Sequence, residues 1–313
     1  LATDAKPDEV LKMAKQGGFK TVEVGKSFGV VIVGGHEIAT FRKDIGKGRR
    51  PSAVDYTDIK GDVMRRDLTI NALFYDMDKA EIVDLVGGIK DLKNKTIRTV
   101  GDAQERFDED PLRKLRALRF AGSVGGRMDN EVAAAIKNDP SLKGVSSERI
   151  RDEFIKGIKK AKNTKKYLEL SKNLRILPLI LPGFNINLRF TKSNDYIVQI
   201  ANLLRNENYQ RVIDGLKGLK YTVQEVRDIS FLIKLINFKP NDIYNMKIEQ
   251  KNTKLTNKQM SEWDKLISTD VMKIWNFKLS VKGGDLAKQG LKGKEIQDKM
   301  KELEMMRYLK WKI

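Results

Sequence analysis

The rhythm of apolar and polar positions changes once along the chain, near Arg98. Before that point the apolar residues come in short β-branched or aromatic runs, and Thr21 to Val24, Phe28 to Val33 and Glu37 to Phe41 read as strands. Gly34-Gly35 between the last two predicts a two-residue hairpin turn. A second hairpin is predicted from Ala72 to Tyr75 and Glu81 to Asp84, turning at Asp76-Met77-Asp78-Lys79. Between the hairpins, Lys43 to Pro51 carries Lys43, Lys47, Arg49 and Arg50 and reads as a mobile basic loop. Beyond Arg98 the period becomes that of a helix. The spacing predicts helices near Pro111 to Gly122, Asn130 to Lys137, Ser147 to Lys160, Lys165 to Asn173, Asp195 to Glu207, Asn208 to Leu219, Val223 to Ile236, Thr256 to Ser268 and Glu295 to Lys310. Breaks are expected at Pro178 to Asn187 and Lys239 to Asn241. The prediction is an α+β chain: a small antiparallel or mixed sheet with helices, then an all-helical remainder.

Composition narrows the function. The chain's 313 residues allow two or more domains, and 40% hydrophobic content with 7 Pro excludes general disorder. Lys and Arg number 61 against 42 Asp and Glu, a net charge of +19 that suits a polyanion, although solubility alone would produce the same excess. There is no Cys and one His, His36, so thiol catalysis, Cys-ligated zinc and His-based metal sites are excluded and any metal needs carboxylates. The most apolar stretch, Leu174 to Phe184, is interrupted by Arg175, Pro178 and Pro182, well short of the roughly 18 uncharged residues of a membrane span. No membrane partner is expected. The sequence starts at Leu1 without a Met or leader and reads as a piece whose upstream part is missing.

Three motifs carry candidate chemistry. Gly25-Lys26-Ser27 has the ending of a phosphate-binding loop, but Lys20 stands where that motif needs Gly and a strand follows, so it is set aside. Arg65 to Leu73 (RRDLTINAL) sets two guanidiniums, a carboxylate and an amide beside an apolar turn; guanidinium forks match phosphate oxygens and a carboxylate can accept a ribose hydroxyl. A solvated charge cluster ahead of a core strand fits the same residues. Glu109 to Arg119 (EDPLRKLRALR) predicts a helix start with Pro111 in the first position and Asp110 as its cap. Arg113, Arg116 and Arg119 then form a stripe beside Leu112, Leu115 and Leu118, which reads either as a solvated basic face or as cations awaiting an anion. Cytosine and adenine both present an exocyclic amine beside a ring-nitrogen acceptor. A carboxylate and a guanidinium would hold either base and mismatch uracil and guanine, a discrimination on the order of 10⁴. Asp110 with Arg113 is the candidate pair.

Ile38 to Arg42, Arg65 to Leu73, Asp84 to Leu92 (DLVGGIKDL), Glu109 to Arg119 and Ser147 to Glu153 (SERIRDE) occur in an order and spacing that resembles the class II tRNA nucleotidyltransferase and poly(A) polymerase family. The resemblance covers about residues 1 to 160, and Gly284 to Trp311 is similar to the tail of the CCA-adding branch. It implies a β-containing nucleotidyltransferase head at 1–98, N-terminally truncated, a helical neck at 99–163, a helical body at 164–245 and a tRNA-binding helical tail at 246–313. It implies that Arg66, Asp67 and Asn71 bind ribose and phosphates of CTP or ATP. Asp110 and Arg113 would form the amino-acid template, with Arg116 and Arg119 near base or triphosphate. Asp84, Gly87 and Gly88 would belong to a springy segment, and Arg49 and Arg50 to a flexible loop needed for A addition. Glu37 matches an acidic position near the metals, or is a surface strand residue; His36 is a turn residue. The family's Asp-x-Asp pair for magnesium would lie ahead of Leu1, so no metal site is expected in this chain. A longer natural chain or a separate upstream fragment would have to supply it, and the chain alone is expected to be inactive. The implied activity is addition of C, C and A to tRNA in an intracellular compartment, the cytoplasm first. A poly(A) polymerase, an A-only or CC-only enzyme and a non-catalytic RNA-binding remnant are the alternatives.

Overall fold

A computed structural model describes residues 1–45, 53–267 and 270–312. The chain divides into two compact units, Leu1–Glu153 with Leu170–Ile176, and Phe154–Glu169 with Leu177–Ile313.

The first unit opens with a four-stranded sheet in the order β1-β4-β3-β2, built from β1 (Ala2–Thr3), β2 (Thr21–Val22), β3 (Val30–Val33) and β4 (His36–Thr40), with α1 (Pro7–Gln16) against it. Val10 and Leu11 of α1 pack on Val31, so the helix's apolar stripe seals one face of the sheet. Gly34 and Gly35 adopt φ of 56° and 86°, as the predicted two-residue turn demands. Two hairpins follow: β5 (Arg42–Ile45) with β6 (Ala53–Tyr56), and β7 (Leu73–Asp76) with β8 (Glu81–Asp84). Lys43 to Ile45 are therefore paired strand, not loop, and Arg49 and Arg50 lie outside the described residues. The segment after Gly25 also departs from expectation, since Lys26–Phe28 form a 3-10 turn before β3 begins.

α2 (Ile59–Met64), α3 (Gly88–Lys93), α4 (Ala103–Glu109), α5 (Leu112–Val124), α6 (Asn130–Asn138) and the start of α7 (Ser147–Lys160) complete this unit. The expectation of helix alone beyond Arg98 needs one correction. β10 (Arg127–Met128) pairs in parallel with β9 (Thr96–Ile97). The approach depends on Gly126, because a Cβ at that position would collide with the Lys95 carbonyl.

The second unit is helical: α10 (Tyr196–Leu203), α11 (Tyr209–Gly218), α12 (Val223–Lys234), α13 (Ile243–Gln250), α14 (Asn257–Asp264), α15 (Val271–Asn276), α16 (Gly283–Lys288) and α17 (Lys294–Lys312), with α9 (Leu177–Ile180) and the first part of α8 (Thr164–Asn173) earlier in the chain; the end of α8, from Leu170, belongs to the first unit. Every residue from Ile197 to Leu203 is buried, and α10 packs against α12. Trp263 is fully buried, and its indole N–H donates to Leu232 O at 2.8 Å, so its polar edge is satisfied. α10 stops four residues short of the predicted end, because Asn208 caps the next helix through Gln210 N and Arg211 N. The short helices α13, α15 and α16 escaped the periodicity reading, since two turns supply too few apolar positions to define a face.

Candidate functional site

All the described candidate residues fall in the first unit, and most join one network of guanidiniums and carboxylates. Its hub is Asp62 on α2, a carboxylate that sequence reasoning missed. Asp62 is buried; its Oδ1 accepts from Arg65 Nε at 2.8 Å and from Arg42 N at 3.3 Å. Its Oδ2 accepts from Arg66 Nε at 3.2 Å and Nη2 at 3.0 Å. The spacing Asp62-x-x-Arg65-Arg66 puts both arginines within one helical turn of the acid, and that was the available signal. Arg66 also donates to Asn71 O at 2.9 Å and stacks its guanidinium 4.4 Å from the Phe74 ring centroid. Arg42 completes this corner with Nε on Asp44 at 3.1 Å, while its buried Nη1 finds no acceptor among the described residues.

Asp67 lies beside this hub. Its Oδ1 accepts from the Asn71 amide at 3.2 Å and its Oδ2 from Arg116 Nε at 2.5 Å. Burial pushes the Asp67 carboxyl up, yet the Arg116 hydrogen bond and charge, the Asn71 amide and the Leu68 N–H outweigh it and hold the group below the usual carboxylate range. Asp67, Asn71 and Arg116 are thus brought together from β-rich and helical parts of the unit.

The start of α5 holds the candidate template. Asp110 Oδ1 accepts from Leu112 N at 3.1 Å, but α5 begins at Leu112 with Pro111 in the cap position, so Asp110, the predicted cap, stands one residue ahead of it, at the end of α4. Asp110 Oδ2 accepts from Arg149 Nη2 on α7 at 2.7 Å. Arg113 donates to Glu109 and to Arg106 O, and reaches Arg65 O at 3.4 Å. The Asp110 and Arg113 side chains are 13% and 17% exposed, a helical turn apart and facing different partners.

Arg119 sits in a buried ion pair. Its Nε donates to Glu153 at 2.6 Å, both side chains are under a tenth exposed, and the guanidinium covers the Phe120 ring at 4.1 Å. Each arginine of the stripe has a carboxylate partner within the chain. Glu109 serves Arg113, Asp67 serves Arg116 and Glu153 serves Arg119.

Asp84 to Leu92 forms a tightly bonded turn against this site. Asp84 Oδ1 accepts from the N–H groups of Val86, Gly87 and Gly88, and Oδ2 from Ile89 at 2.9 Å. Burial raises the Asp84 carboxyl, and those four donors lower it further than burial lifts it. Gly87 takes φ 79°. Gly88 lies so close to the 3-10 turn Thr69–Asn71 that a Cβ would strike the Thr69 carbonyl. Thr69 Oγ1 and Arg98 Nε both donate to Asp91 Oδ2, at 2.6 and 3.0 Å. The segment braces the turn that carries Asn71.

Glu37 sits exposed on β4 opposite Ile32, and His36 is the first residue of that strand. Among the described residues no group of three or more carboxylates or histidines could hold a metal ion. These residues do not fit a divalent-cation site, and no step is drawn through one. No helix among the described residues is long and apolar enough to cross a membrane.

Comparison with known proteins meets this geometry. Residues 1–98 match the family described as poly A polymerase head domain, and residues 127–187 match the probable RNA and SrmB-binding site of polymerase A. The CCA-adding enzyme of Bacillus licheniformis is 41% identical over 167 residues, 51% of this chain and 41% of that protein. The CCA-adding enzyme of Bacillus subtilis is 43% identical over 164 residues, 50% of this chain and 40% of that protein. The chain thus spans about two fifths of the length of these relatives. Among solved structures, the Bacillus stearothermophilus CCA-adding enzyme in complex with CTP superposes with a TM-score of 0.70 at 22% identity, covering 97% of this chain and 82% of that one. A CCA-adding enzyme complex with ATP gives 0.67 at 20% identity, covering 98% and 80%. The solved structures share the α+β architecture of this chain, and residues 1–98 and 127–187 carry the head and RNA-binding regions of the poly A polymerase family.

Proposed function

We propose that this chain is a CCA-adding tRNA nucleotidyltransferase that selects CTP and ATP by amino-acid side chains. The observation that carries the reading is the start of α5, where Asp110 and Arg113 are held within a turn of each other by Arg149 and Glu109. A carboxylate offers about four lone-pair positions, so Asp110, with two bonds made, can still accept from the exocyclic amine of cytosine or adenine. Arg113 then donates to the neighbouring ring nitrogen. Uracil and guanine would turn a carbonyl toward Asp110 and an N–H toward Arg113, leaving each group opposite its own kind. The Asp67–Asn71–Arg116 network beside Arg66 supplies acceptors for ribose hydroxyls and donors for phosphate. Arg119, tied to Glu153, supports the helix rather than the nucleotide. The excess of positive charge supplies the tRNA grip.

Nucleotidyltransferases generally use divalent metals, and magnesium is the ion we assign to this reaction. Nucleotide selection by binding is the measurement that tests this reading. CTP and ATP should bind about 10²- to 10⁴-fold more tightly than UTP and GTP, the scale of two mismatched hydrogen bonds to charged, part-buried groups. Asp110→Ala combined with Arg113→Ala should erase that preference while leaving affinity for a tRNA lacking its 3′ end unchanged. A preference that survives the double substitution rejects the template role. Preference for ATP alone would favour a poly(A) polymerase, against the similarity of Gly284 to Trp311 to CCA-adding tails. Absence of any preference would favour an RNA-binding remnant. We place the activity in the cytoplasm, with its tRNA pool.

A further inference from the structure

The second unit carries a surface depression of about 470 Å³ lined by Asn276, Phe277, Lys278, Arg307, Lys310 and Trp311, a volume in the range of pockets that take one small ligand. Trp311 is 49% exposed, yet it is anchored: its ring meets Phe277 edge-on at 5.6 Å and Tyr308 at 6.3 Å. These contacts hold the indole in place without covering it. An aromatic plane fixed before binding loses little entropy when a second plane stacks on it.

The surrounding charge is one-signed and equally fixed. Arg307 is bonded to Glu304, which has no exposed surface and accepts from Ser280 N and Val281 N at 2.6 Å each. Its guanidinium stands 5.5 Å from the Phe277 ring centroid, locked at the rim. Lys278 and Lys310 are exposed, and among the described residues neither has a carboxylate within ion-pair reach. None of the described carboxylates lines the depression. A half-exposed aromatic ring among cations matches the alternation of base and phosphate in a single strand, whereas an acidic peptide would leave the aromatic plane without a matching partner.

We propose that this depression is a stacking subsite for one unpaired RNA base, seated on Trp311 with Lys278, Arg307 and Lys310 on the adjoining phosphates. The choice of RNA as ligand rests on the proposed function, but the subsite is independent of nucleotide selection. The test measures binding of the full chain to a short single-stranded RNA of mixed sequence, to a fully paired RNA hairpin and to a tRNA lacking its 3′ end. Trp311→Ala should weaken single-strand and tRNA binding about 5- to 100-fold, and Trp311→Phe should restore most of it. Lys278→Ala with Lys310→Ala should flatten the salt dependence of single-strand binding by about 0.7 for each phosphate that is no longer neutralised. Unfolding curves confirm that each variant is folded. Unchanged RNA affinity in folded Trp311→Ala overturns the proposal, as does an equal loss for the paired hairpin. If polyglutamate binding falls with Trp311→Ala while RNA binding stays, the pocket is a peptide site. CTP and ATP preference, read separately at Asp110 and Arg113, distinguishes a failed subsite from a failed template.

Discussion

Replacing Arg119 by Leu separates the two roles that sequence and structure give this residue. The Arg119–Glu153 pair is 2.6 Å long with side chains 8% and 7% exposed, so solvent screens it little. Taking the guanidinium from such a carboxylate costs about 3–5 kcal/mol, since the acid keeps its desolvation and loses the Arg119 charge. For a unit of this size each kcal/mol moves the unfolding midpoint by about 2–4 °C, which predicts a drop of about 6–20 °C in thermal melts. A second substitution, Glu153→Leu in the Arg119→Leu background, should recover most of that loss, because an apolar pair of similar volume is often as stable as a buried ion pair. CTP affinity, measured well below the lowered midpoint, should stay within about twofold. The opposite pattern would refute the reasoning: a midpoint within about 2 °C of the parent, together with CTP binding weakened about tenfold or more, would make Arg119 a nucleotide contact.

Two further outcomes follow from the same unit. Gly88→Ala should destabilise by about 1–3 kcal/mol in urea titration and weaken CTP binding as well, because its Cβ pushes on the Thr69 carbonyl and so on the turn holding Asn71; a loss of stability with nucleotide affinity intact would separate the brace from the site. Asp67 and Asp84 both have folded-state pKa values below the ordinary carboxylate range, so the unfolded state binds more protons there and their stabilisation, present above about pH 4, is lost as pH falls through the folded values. The urea midpoint should therefore fall in that window, and Asp84→Asn should make the fall shallower.

The elements that the sequence made legible are those whose causes are local. Gly34-Gly35 sets its own turn, and Ser147 to Lys160 ends where its apolar spacing ends. The break between α4 and α5 falls at Asp110-Pro111, where proline cannot continue the helix before it. The same local logic would have found Asp62, three and four residues before Arg65 and Arg66, and Glu109, four before Arg113. It could not have found Arg149 for Asp110, Asp67 for Arg116 or Glu153 for Arg119, which lie 39, 49 and 34 residues apart. Three arginines spaced along one helix do repel one another, but the fold answers with acids carried in from distant segments, and a stripe of cations points to a ligand only after those acids have been counted. Counting them here leaves Arg119 spent on the interior. The groups at the start of α5 keep partners that can orient a carboxylate and a guanidinium while part of each stays open. That residual capacity, more than the charge of the stripe, is what the proposed base edge would use at Asp110 and Arg113.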